Sequence, residues 1–146
     1  MNPNIWGPPA WDFLHSITLG YPECPTSSDK RLFKNFFYNL QNVLPCASCR
    51  NNYIEHIKKI PLTDNILCSK EQVVRWLVDI HNEVNKLNGK PIFTYEQLLR
   101  KYNKIYNVNF VSTSNIVLIC LSLLLIVFII ILFFIGYKYK SKKLNN

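Results

Sequence analysis

Cys46-Ala47-Ser48-Cys49 sets two thiols two residues apart, directly after Pro45. In the first turn of a helix this spacing leaves the sulfurs about one turn apart, able to bond with little backbone change. Unpaired N–H groups and the helix dipole favour thiolate there. A thiolate in turn exchanges with disulfides through a mixed disulfide. The other common use of a CxxC is half of a zinc site, which wants four ligands and normally a second pair at similar spacing. The sequence has no second CxxC and no HxxxH, so Cys24, Cys68 and His56 or His81 would have to converge from separate loops. A thioredoxin-like arrangement needs strands alternating with helices, and strand periodicity is missing.

A second set of residues could hold a ligand. His81 and Asn85 share a face of one predicted helix and Asn82 lies beside it, with Trp76 a turn earlier and Lys86 and Lys90 following. Such a set suits adenine, ribose and phosphate better than an apolar core, although a histidine on a helix is commonly structural or solvated. Trp11 and His15, one turn apart, project together, and Trp6 lies just upstream. They read equally as core aromatics or as a stacking wall for a flat heterocycle.

The elements that must position these residues are helical. Pro8 and Pro9 can open a first helix, with Trp11, Leu14, His15 and Thr18 at helical spacing. Gly20 to Pro25 is turn-rich and ends it. Thr26 to Asp29 offers caps for a second helix whose apolar face is Leu32, Phe33, Phe36, Phe37, Leu40 and Val43. Pro45 starts a third, running to about Lys59, and Pro61 to Asn65 is a loop. Ser69 to Gln72 and Thr94 to Gln97 are capping boxes that open a fourth helix and a short fifth. Asn88-Gly89 ends the fourth. The expectation is an all-α four-helix bundle with a short fifth helix, the kind of fold that builds cofactor sites between facing helices.

After this bundle, expected over residues 1–106, come a polar linker at 107–115 and an apolar run from Ile116 to Ile135. About 20 apolar residues span a bilayer as a helix. The expectation is a single C-terminal transmembrane helix over 116–136 and a basic tail over 137–146. The chain carries a net charge of +8, but four of its 17 basic residues, Lys138, Lys140, Lys142 and Lys143, sit in that tail. They read as anchors at lipid headgroups. The remaining 13 basic residues against nine acidic ones argue against a nucleic-acid partner. Five cysteines and no secretory signal argue against a secreted disulfide scaffold.

As a set, these residues resemble the Erv/ALR family of FAD-linked sulfhydryl oxidases. Trp6-Gly7, Trp11 and His15 are similar to its WGxxxWxxxH opening, and Pro45 to Cys49 to its PCxxC redox centre. His81 to Asn85, then Gly89-Lys90-Pro91 and Phe93, resemble its HNxVNxxxGKPxF segment. The resemblance covers about residues 5 to 102. It implies FAD held noncovalently at the open end of the bundle, with Cys49 facing the flavin and Cys46 attacked by an incoming dithiol. It also implies O2 as acceptor, hydrogen peroxide as product, and a homodimer. Dithiol substrate proteins or a thioredoxin-like carrier are the implied partners. It carries over Trp6, Gly7, Trp11, His15, His81, Asn82, Val84, Asn85, Lys86, Lys90 and Phe93 as candidate FAD-binding residues. No metal site is expected; the competing reading is a membrane-tethered zinc-binding or thiol adaptor without flavin.

The sequence departs from the family at three places. Val78 and Tyr95 stand where cellular members often carry a second, structural disulfide. Lys101-Tyr102 replaces an Arg-Trp, and both remain candidate FAD-site residues. No CxxC precedes the first helix, and Cys24 and Cys68 could pair, shuttle electrons or stay reduced. This compact form looks more like the enzymes of large cytoplasmic DNA viruses. For orientation two rules disagree. The lysine tail favours a cytosolic C-terminus. A membrane segment within about ten residues of the end leaves time for a small helical bundle to fold first in the cytosol. The expectation is a single-pass membrane protein whose catalytic domain faces the cytosol or a virion interior.

Overall fold

The computed structural model describes residues 1–106, 118 and 121–132. Five α-helices follow one another: α1 (Pro3–Leu19), α2 (Ser27–Val43), α3 (Ala47–Lys59), α4 (Lys70–Leu87) and α5 (Tyr95–Tyr106), with a 3-10 turn at Ile66–Cys68 before α4. Among the described residues there is no strand.

The helix starts follow local chemistry. α1 begins five residues earlier than Pro8 suggests. Asn2 caps it by accepting from the Asn4 N–H at 3.0 Å, and Pro3 takes the first helical position. Pro8 and Pro9 therefore lie inside the helix. The N–H groups they lack would have bonded the Asn4 and Ile5 carbonyls, which are on exposed residues that water can reach. Thr26 and Asp29 form a reciprocal capping box at α2, as Thr94 and Gln97 do at α5. The box expected at Ser69 and Gln72 is not formed. Ser69 is the N-cap, but its N–H closes the 3-10 turn onto the Ile66 carbonyl at 3.3 Å, and its hydroxyl makes no capping bond. Gly89, at φ +62°, ends α4 in the left-handed conformation that glycine adopts without steric cost.

α4 is the hub. It packs against α1, α3 and the 3-10 turn, while α2 packs against α3. Val73, Leu77 and Ile80 on α4 are fully buried with Phe37 and Leu67. Phe37 meets Trp76 edge-on at 5.0 Å, and the Trp76 indole N–H donates to the Ile60 carbonyl at 2.9 Å. Trp76 is therefore a core residue, not a neighbour of the polar cluster. The Tyr53 hydroxyl donates to the Phe37 carbonyl at 2.9 Å, tying α3 to α2. A second core joins α4 to α5 through Val74, Val78, Leu98 and Tyr102, with Phe93 and Tyr95 packed on it. Val78 and Tyr95 thus share an apolar cluster at the two positions where the family resemblance would have placed a structural disulfide. Arg75 also lies 4.0 Å above the Tyr95 ring.

The chain divides into two compact units, Met1–Tyr102 and Asn103–Asn146. In the second unit, beyond α5, Leu118 and residues 121–132 are helical and exposed. Among the described residues no helix is long and apolar enough to cross a membrane. The linker at 107–115, much of the run at 116–136 and the tail at 137–146 lie outside the described residues.

Candidate active site

The bundle encloses a cavity of about 540 Å³ bounded by α1, the end of α2, the start of α3, the end of α4, the 88–93 loop and α5. That is within the range of small-molecule sites. Two kinds of chemistry meet in it.

The first is the disulfide. Cys46 and Cys49 are bonded, with their Cα atoms 5.1 Å apart. Cys46 is the N-cap of α3, extended at φ −123° and ψ 125°, and its sulfur accepts from the Cys49 N–H at 3.3 Å. Cys49, one turn in, lines the cavity and Cys46 does not. Leu40, Leu44, Asn52 and Tyr53 complete this end of the wall, and none was named from sequence as a site residue. Only the fold shows that α2 closes the space beside Cys49.

The second is an aromatic and basic end. Trp11 stacks on His81 with ring centres 3.8 Å apart and planes within 5°. His15 Nε2 lies 2.9 Å from His81 Nδ1. Phe93 closes edge-on against both, at 5.0 Å from His81 and 6.0 Å from His15. At 3.8 Å there is no room for a ring between Trp11 and His81. A flat heterocycle must therefore lie against the pair, not inside it. His15 is held down to about 4, by burial first and then by the Lys101 charge. His81 is held down to about 3, by burial, then by His15, Lys101 and Lys90. Both rings are neutral at pH 7, so one donates and the other accepts across their shared contact.

This neutrality sets a pH dependence. Both histidines have folded-state values below the unfolded 6.5, so the unfolded chain binds more protons as acid is added. Their contribution is present above about pH 6.5 and is lost as pH falls towards 4 and then 3. Melting temperature should fall steadily over that window; an unchanged melting temperature between pH 6.5 and 4 would contradict the assignment.

Of the residues expected from sequence, Trp6, Gly7, Trp11, His15, Cys49, His81, Val84, Asn85, Lys90, Phe93 and Lys101 line the cavity. Four do not. Cys46 stands behind Cys49 as described. Asn82 brackets the Phe93 backbone, donating to its carbonyl at 2.8 Å and accepting from its N–H at 3.1 Å; it holds the wall in place without forming it. Lys86 is drawn off by Glu83, 2.7 Å away and itself bridged to Lys59. Tyr102 is buried, and its hydroxyl donates to the Asp12 carboxylate at 3.0 Å. Asp12 also takes the Lys101 ammonium at 2.7 Å and lines the cavity. Sequence gave no signal for Asp12, because its partners are 89 and 90 residues away.

The residues fit a flavin dinucleotide on three observations. Trp6 Nε1 and His15 Nδ1 are buried without a hydrogen-bond partner, which is costly unless a ligand supplies one. A Cβ on Gly7 would meet nothing within 4 Å, so the wall is open there. Flat aromatic faces lie in the same cavity as two ammonium groups, Lys90 and Lys101, suiting rings joined by phosphates.

The chain is similar to known proteins. A probable FAD-linked sulfhydryl oxidase of Acanthamoeba polyphaga mimivirus is 43% identical over 115 residues, covering 79% of this chain and 80% of that one. An FAD-linked sulfhydryl oxidase of African swine fever virus is 30% identical over 108 residues, covering 74% and 85%. The crystal structure of the FAD-binding domain of Erv1 from Saccharomyces cerevisiae superposes with a TM-score of 0.59 at 31% identity, over 64% of this chain and 86% of that one. The Erv1/Alr family profile matches residues 8–104, which span both the aromatic wall and the disulfide, and the chain belongs to that family.

Proposed function

We propose that this chain is an FAD-dependent sulfhydryl oxidase, making disulfides in dithiol substrates at the expense of O2. The observation that carries this reading is the placement of Cys49, the inner sulfur of a disulfide, on the wall of the cavity shaped by Trp11, His81 and Phe93. Bound there, FAD supplies a two-electron acceptor that returns its electrons to O2 as peroxide. The chain's own residues do the rest. A substrate thiolate attacks Cys46, and Cys49 leaves as thiolate. The second substrate thiol displaces Cys46 and closes the substrate disulfide. Trp11 and His81 would hold the rings, Lys90 and Lys101 would meet the phosphates, and the buried aromatic side chains would exclude water. The family membership favours this reading over the zinc adaptor. Purified full-length protein should be yellow, release FAD on denaturation, and consume O2 with a small dithiol. A colourless, inert preparation contradicts the proposal.

The same reading includes a membrane anchor over 116–136, a homodimer, and a catalytic domain on the cytosolic or virion-interior side. The apolar run supports the anchor, and exposed Phe13 and Leu32 supply apolar surface for a partner copy. Protease added to sealed membranes from expressing cells should digest residues 1–106; protection until detergent is added overturns this orientation. Sedimentation of the detergent-solubilised protein as a monomer overturns the dimer.

A further inference from the structure

Ser48 sits between the two cysteines, exposed, and its hydroxyl oxygen lies 3.1 Å from the Cys46 sulfur. In the disulfide that sulfur carries no proton, so Ser48 must be the donor. The Cys49 N–H is a second donor to the same sulfur, at 3.3 Å. Cys46 thus occupies an N-cap with its sulfur as the capping atom. A disulfide sulfur is a weak acceptor. Both bonds strengthen when Cys46 becomes a thiolate, because a charged acceptor roughly doubles a hydrogen bond. Stabilisation that grows as charge develops lowers a barrier, whereas uniform binding does not.

We propose that Ser48 is a catalytic residue that donates to Cys46 as it departs from the mixed disulfide. The proposal rests on the sulfhydryl oxidase reading and deepens it. In the first displacement, a substrate thiolate bonds to Cys46 and the Cys46–Cys49 bond breaks, leaving Cys49 as thiolate. In the second, the other substrate thiolate bonds to the substrate sulfur of the mixed disulfide. The bond between that sulfur and Cys46 breaks, and Cys46 takes the electron pair. The substrate loses two electrons and two protons; the protons go to water and the electrons reside on the two cysteines. Thiol leaving groups of lower pKa leave faster. Ser48 acts on this second displacement, where charge first appears on Cys46. It lines the cavity and is exposed, so an incoming dithiol can reach it. Arg50, in the same turn, donates to the Leu44 carbonyl.

The test uses the full chain with Cys49→Ala, leaving Cys46 as a single thiol. Its alkylation by iodoacetamide is followed against pH by mass spectrometry of the Cys46 peptide, so Cys24 and Cys68 are counted separately. Adding Ser48→Ala should move the midpoint up by about one unit, a tenfold change in thiolate; Ser48→Thr should restore it. In the intact enzyme, Ser48→Ala should slow dithiol turnover about three- to tenfold with FAD content unchanged. An unmoved midpoint overturns the proposal. The titration needs neither flavin nor O2, so it fails with the hydrogen bond and not with the oxidase reading.

Discussion

Cys49→Ser should abolish dithiol-dependent O2 uptake, by about a thousandfold or more, while FAD stays bound. Groups that act as one unit lose nearly all activity when either is removed, and these two sulfurs form a single bond. Cys46→Ser should be equally inactive. The two variants are not equivalent in space. Cys49 lines the cavity, so its loss removes the sulfur on that wall; Cys46, the N-cap of α3, is the sulfur away from it. Neither substitution touches Trp11, His81 or Lys90, which is why FAD content should hold. Flavin absorbance and O2 consumption on the same preparation separate the two effects. Turnover near that of the wild type in the Cys46→Ser, Cys49→Ser double variant would remove the mechanism.

The sequence made the helices and the chemistry legible for different reasons. Capping at Thr26–Asp29 and Thr94–Gln97 is local, so three or four residues specify it and the structure reproduces it. Ser69–Gln72 has the same pattern and fails, because the 3-10 turn immediately upstream already claims the Ser69 N–H. That competition depends on how the 61–68 segment packs. The redox pair was legible because CxxC spacing maps directly onto one helical turn. The wall of the cavity was only partly so. His81 and Asn85 share a helix face, and periodicity finds them; Asn82, adjacent to that face, turns to the Phe93 backbone instead. Lys86 follows the motif in sequence but meets Glu83 in space. Asp12, Leu40, Leu44 and Tyr53 join the site through contacts between distant helices, which no local pattern encodes.

The departures from the family become intelligible in the same terms. A disulfide between α4 and the start of α5 would constrain two elements that here are joined by Val74, Val78, Leu98 and Tyr102. Burial of large apolar side chains is worth about 1.5–3 kcal/mol each, comparable to a native disulfide at about 2–5 kcal/mol. Lys101 keeps a cation on the cavity wall and Tyr102 an aromatic buried behind it, and both are bound to Asp12, so Lys101 would meet an anionic ligand with its charge already shared.

His81→Ala should lower FAD affinity more than any other single change in the wall, by about 10- to 100-fold, the equivalent of roughly 1.5–3 kcal/mol. The ring does three things at once. It stacks on Trp11 at 3.8 Å, it pairs with His15 at 2.9 Å, and it takes Phe93 edge-on at 5.0 Å. Removing it frees Trp11 to rotate and takes from His15, 2% exposed, the protein partner of Nε2, so neither ring nitrogen is then bonded to protein. Asn85→Ala should follow in the same direction with a smaller effect, because its backbone carbonyl still accepts from the Lys90 N–H at 2.8 Å and holds the loop. Helix content should change little in either variant, since α4 is anchored by Val73, Leu77 and Ile80, away from the cavity. Melting temperature should nevertheless fall, because a cofactor that binds only the folded chain stabilises it by mass action. Added FAD should recover part of that loss. Flavin-to-protein ratios at wild-type level in both purified variants would show that this face of α4 does not hold the cofactor.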